Sequence, residues 1–183
     1  MELKDIKQYK KFEDKKINPS HLSQILDSSM KVHTAGGVLS QHFIIIEKNK
    51  TKQKLKPYLL KQDWMLQAPI WVVICFEADE MQKYFKNKAE LFCLQDTSSS
   101  SQNMILTANK LDINHYLVRS FKETELKETL KIPEDTKVSG ILVLGKGKDQ
   151  GEKYKRYNLK KHISFEEHGK EKTDKVFPLK KRS

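Results

Sequence analysis

The residues of this 183-residue chain best suited to metal binding or covalent catalysis are six histidines and two cysteines, and their spacing supports neither. His21, His33, His42, His115, His162 and His168 fall in no metal-ligand pattern, and no His-Cys-Asp set suggests a nucleophile. Cys75 and Cys93 lie in apolar stretches, which reads as two buried, reduced thiols. No metal is therefore expected. The basic residues are the other candidates. Lys7, Lys10 and Lys11 cluster near the start, and Lys153, Lys155 and Arg156 near the end. Read from the residues alone, such clusters are solvated surface or anion-holding groups. A net charge of +11 raises nucleic acid as a partner, but only Arg119, Arg156 and Arg182 among the 35 Lys and Arg residues are arginines. Base and phosphate readers favour the guanidinium fork. The charge is also dispersed, and no helix-turn-helix, zinc-finger or RNP-like aromatic string is present, so no nucleic-acid partner is expected.

The elements that must position these residues follow from pattern. Asn18 can cap a first helix, Pro19 fits its first turn, and Leu22, Ile25, Leu26 and Met30 recur at helical spacing. After Gly36-Gly37 comes a short strand, Phe43 to Ile46, then a lysine-rich helix carrying Leu55, Leu59 and Leu60. Ala68-Pro69 opens the strand Ile70 to Phe76, whose unbroken apolarity predicts cover on both faces. From Ala89 to Leu111, the Ser98 to Ser101 run looks like a linker. Yet Leu91, Leu94, Ser98, Ser101, Ile105 and Ala108 alternate three and four apart, which predicts one continuous helix, closely packed through its small residues. His115 to Val118 reads as a strand, Ser120 and Glu123 as the capping box of a helix with Leu126 and Leu130, Val138 to Leu144 as a strand, and Ile163 to Phe165 as a last short one.

With 37% hydrophobic and 32% charged residues, the chain suits one globular domain, expected over residues 1–167. Residues 168–183 form a polar tail with one apolar cluster, Val176-Phe177-Pro178-Leu179. No apolar run approaches the ~18 residues of a membrane span, so no membrane is expected as a partner. The opening Met1-Glu2-Leu3-Lys4-Asp5 lacks the apolar stretch of a secretory signal, and cytoplasmic residence is the expectation.

Five segments, in order, resemble the nitroreductase family of flavoproteins. Ile6 to Phe12 sits where that family has Arg-Arg-Ser-x-Arg-x-Phe, and His33 to Ser40 resembles its Pro-Ser-Ala-Gly turn. Gln67-Ala68-Pro69 is similar to its Asp-Ala-Pro strand entry, and Gln95 to Leu111 to its central helix. Leu144-Gly145, Lys155-Arg156 and Ile163 to Glu166 are similar to its closing strand, basic phosphate loop and last β-segment. The turn at Thr34 to Leu39 leans slightly toward the branch that oxidises azolines.

The resemblance implies an α+β fold with a central, mostly antiparallel sheet flanked by helices. It implies a homodimer with the long central helix at the interface, the tail wrapping the partner. The implied activity is FMN-dependent oxidoreduction, hydride passing from NAD(P)H through the flavin to a small electron-poor acceptor such as a nitroaromatic or a quinone. The alternative is a degenerate member that binds flavin weakly or not at all and serves as a non-catalytic or partner-dependent subunit. Lys10 is implied at the flavin's pyrimidine edge, with Lys7 and Gln8 beside it, and Lys155 and Arg156 at the phosphate. Thr34, Ala35 and Gly37 are implied as contacts from the partner subunit, and the backbone at Arg119 and Ser120 as facing the flavin N5. Ile6, Gln8, His33 and Gly37 depart from the family's residues at their positions.

Overall fold

The computed structural model describes residues 6–154 and 162–170. It divides into two compact units, Met1–Lys153 and Tyr154–Ser183. The first unit is a six-stranded sheet between two layers of helix. In chain order it holds β1 (Lys7–Gln8), α1 (Pro19–Ser29), β2 (Gln41–Ile46), α2 (Asn49–Leu55), β3 (Ile70–Phe76), α3 (Asp79–Phe85), α4 (Ala89–Lys110), β4 (Asn114–Val118), α5 (Glu123–Leu130), β5 (Lys137–Gly145) and β6 (Glu152–Lys153). The strand order is β2-β3-β5-β4-β1-β6. Every pairing is antiparallel except β1 with β4, which is parallel. The fold is therefore α+β with a mostly antiparallel sheet, as the sequence implied.

Strand β3 is buried at all seven positions, and alternation sorts its side chains onto two cores. Trp71, Val73 and Cys75 join Phe12, Leu55, Leu59, Met65 and Leu126 on one face. Ile70, Val72 and Ile74 join Ile25, Met104 and Ala108 on the other. The strand's entry is held by an unusual cation. Lys52 of α2 is 3% exposed, and its ammonium donates to the carbonyls of Ala68 (2.7 Å) and Pro69 (2.6 Å). Burial lowers its pKa.

Helix α4 runs unbroken for 22 residues, about 33 Å at 1.5 Å per residue. The serine run does not interrupt it, because the hydroxyls of Thr97, Ser98, Ser99 and Ser101 donate back to carbonyls three or four residues earlier. Its buried face differs from the expected stripe. Ser101, Ile105 and Ala108 are buried, but Leu91 and Leu94 are about half exposed. The first half of α4 is covered by α3 through Ala89 and Cys93, whereas the second half lies against α1 and the sheet. These covers lie at different angles around the helix, so the leucines of the first half are left open.

Three further expectations are corrected. Leu60 is half exposed, because the chain turns left-handed at Leu60 (φ 49°) and Lys61 (φ 66°). Ser120 does not cap α5. The helix starts at Glu123 after Lys122, and the Glu123 carboxylate accepts the Val138 N–H at 3.0 Å instead. Ile163 to Phe165 form no strand. In the second unit that segment folds back on itself, with Glu166 and Gly169 at positive φ and the Phe165 N–H donating to Lys170.

Candidate functional site

Strand β1 is only two residues long, and it is fixed by its neighbours rather than by its own length. Gln8 pairs with His115 of β4 and with Glu152 of β6, and the Tyr9 N–H donates to the His115 carbonyl. The parallel pairing carries Lys10 to Tyr116, where its ammonium stands 5.5 Å from the ring centroid. Among the described residues its ion-pair partner is Glu152, 3.7 Å away and largely exposed. The Tyr116 ring lies 4.8 Å from Trp64, which stacks in turn on Phe12. Lys10 thus sits on an aromatic shelf with its charge only loosely compensated.

A loop absent from the sequence reading closes this end of the sheet. The left-handed pair Leu60-Lys61 throws Gln62 back toward the end of β4, where its amide donates to the carbonyls of Leu59 (2.9 Å) and Ser120 (2.6 Å). The Lys122 N–H donates to Tyr58 O, a second tie between the same two segments. Arg119 and Ser120, both exposed, leave β4 three and four residues beyond Tyr116. The structure therefore gathers Lys10, Arg119 and Ser120, and adds Gln62, Trp64 and Tyr116. The two left-handed residues that aim Gln62 carry no glycine to announce them.

The other expected residues are placed elsewhere. Gln8 shares a register position with His115, and hence a face of the sheet opposite that of Tyr116. The Lys7 ammonium is turned to the Gln150 carbonyl at 2.8 Å. Thr34, Ala35 and Gly37 form a single tight turn leading into β2, with Gly36 (φ 62°) and Gly37 (φ 73°) left-handed. A Cβ on Gly36 would lie 3.2 Å from the Phe85 ring, whereas nothing lies within 4 Å on that side of Gly37. This turn serves strand β2 at one edge of the sheet, and β1 lies four strands away, about 19 Å at ~4.8 Å per step. Lys155 and Arg156 lie outside the described residues. A cleft of about 830 Å³ opens between Asn18, Glu47, Lys52 and Pro69, and none of the expected site residues lines it.

A family model for the nitroreductase family matches residues 50–146, more than half of the chain. The chain belongs to the nitroreductase family. An Archaeoglobus fulgidus protein named "Putative NADH dehydrogenase/NAD(P)H nitroreductase" is 25% identical over 147 residues, covering 78% of this chain and 82% of its own length. Among solved structures, Bacillus megaterium NfrA2 superposes with a TM-score of 0.80 at 20% identity, covering 90% of this chain and 72% of that one. An FMN-dependent nitroreductase from Clostridium difficile R20291 superposes with a TM-score of 0.76 at 17% identity, covering 90% and 97%. The family membership supports an oxidoreductase role, and the structural likenesses establish the nitroreductase fold.

Proposed function

We propose that this nitroreductase-family chain is an FMN-dependent oxidoreductase that acts as a homodimer. Bound FMN would supply hydride transfer between NAD(P)H and a small electron-poor acceptor. The observation that carries the reading is the Lys10 ammonium over the Tyr116 ring, beside the Gln62–Ser120 contact. The donor chemistry fits a flavin ring. Lys10 offers a positive charge where a reduced pyrimidine edge gains negative charge, and the Gln62 amide, donating to Leu59 and Ser120, ties the neighbouring loop to the strand end. Arg119 and Ser120 offer backbone N–H groups at the strand end. The open side of Gly37 leaves that turn free to approach a ligand. Because the turn and Lys10 belong to strands four apart, the two halves meet only if a second subunit supplies the turn. Lys155 and Arg156 are proposed for the phosphate.

A weakly flavin-binding subunit is favoured by one observation. Ile6, at the position of the family's first arginine, packs against the apolar core beneath the sheet. The protein is expected to purify yellow, with FMN identified by mass spectrometry of the released chromophore. A colourless dimer that takes up no added FMN would overturn the flavoprotein reading and leave the non-catalytic one.

A further inference from the structure

The connection from α1 to β2, residues 30–40, has few hydrogen bonds of its own. Its turn is closed by the Gly37 N–H to Thr34 O and the Val38 N–H to Ala35 O, at 3.2 and 3.3 Å. What fixes it is one side of α4. The Asp96 carboxylate accepts the Ala35 N–H at 3.2 Å, the Ser100 hydroxyl accepts the Gln41 amide at 3.1 Å, and the Asn103 amide donates to the carbonyls of Ser28 (3.3 Å) and Lys31 (2.7 Å). Positions 96, 100 and 103 are four and three apart, so they share one face of the helix and grip the connection at its start, turn and end.

Asp96 is the costly member of this set. It is 6% exposed, and burial raises its pKa, opposed only by the Ala35 hydrogen bond. Among the described residues no ion pair offsets its charge. An apolar residue would fill the position at lower cost, since a buried carboxylate with one backbone partner is expensive. The effect of Asp96 is directional: with the Ala35 N–H drawn inward, Gly37 remains exposed on the open side.

We infer that Asp96, supported by Ser100 and Asn103, is a positioning residue that presents the Thr34–Gly37 turn to the flavin site of the partner subunit. This rests on the dimeric flavin reading above. Two readouts separate the two ideas. Hydrogen exchange at the Ala35 to Val38 amides reports the positioning without any ligand, and an FMN titration of the dimer reports its consequence. Asp96→Leu is expected to speed exchange across the turn and to weaken FMN binding about tenfold or more, the worth of one charge-assisted hydrogen bond. Asp96→Asn keeps an acceptor and is expected to restore both. Should Asp96→Leu fail to fold, Ser100→Ala combined with Asn103→Ala removes the other anchors and is expected to act in the same direction. Unchanged exchange in a folded Asp96→Leu protein overturns the positioning role. Faster exchange with wild-type FMN affinity in an intact dimer overturns its link to the flavin. A wild-type dimer that binds no FMN, yet shows the exchange effect, overturns the flavin reading and keeps the positioning.

Discussion

Lys10 is the residue on which the proposed chemistry turns, and its surroundings set what its loss should do. The ammonium rests on the Tyr116 ring with Glu152 at 3.7 Å, so its charge is available to a ligand. Lys10→Ala is expected to change oxidised FMN affinity little and to lower the flavin midpoint potential, because the reduced ring loses its positive neighbour. An unchanged potential in spectroelectrochemical titration would place the pyrimidine edge elsewhere. His115, on the adjacent strand, is 2% exposed, its Nε2 has no hydrogen-bond partner among the described residues, and burial lowers its pKa to about 4. The unfolded chain binds that proton near the ordinary value of 6.5, so between the two values the unfolded state holds more protons than the folded one. Stability from this residue is complete above 6.5 and falls by up to about 3 kcal/mol as pH drops to 4. His115→Phe should flatten that part of the stability–pH curve; a difference curve with no slope between those pH values would refute it.

At the scale of elements, the strand entry at Ala68-Pro69 depends on α2 through Lys52. Lys52→Ala leaves the buried Ala68 carbonyl and the part-buried Pro69 carbonyl without their donor, at a cost of roughly 1–3 kcal/mol for the first and less for the second. A lower urea midpoint is expected, and a wild-type midpoint would mean the carbonyls find other partners. Elements with a strong local signal were legible before any coordinates. Asn18 accepts the Ser20 N–H as a helix cap, with Pro19 behind it in the first turn. The apolar run from Ile70 to Phe76 is a central strand over those same residues. What escaped has a physical reason in each case. β1 and β6 are two residues each, too short to carry a period, and exist only because β4 receives β1 and β1 in turn receives β6. Ser120 and Glu123 have capping-box spacing, but the Glu123 carboxylate is claimed by Val138 from a strand far along the chain. Lys10 was singled out by its place in a motif. Its aromatic shelf was not, since Trp64 and Tyr116 meet only through the sheet.

At the scale of the whole molecule, the exposed apolar side chains Leu39, Tyr84, Leu91 and Leu94 lie on the elements around the small cluster of Phe76, Met81 and Cys93. Their burial between two copies is expected, so light scattering should report about twice the 21.4 kDa chain mass, and Leu91→Lys with Leu94→Lys should return it to one. A wild-type monomer at micromolar concentration would also deny the site its second half. The separation of the Thr34–Gly37 turn from Lys10 across four strands has a genetic consequence. If each site borrows its turn from the neighbouring subunit, a chain damaged only at Lys10 and a chain damaged only at the turn each form dimers with no complete site. Mixed and allowed to exchange subunits, they form hybrids in which one site inherits both defects and the other inherits neither. Two preparations without a single complete site would then regain them together: about a quarter of all sites, at equal mixing, would bind FMN with the wild-type affinity and midpoint potential.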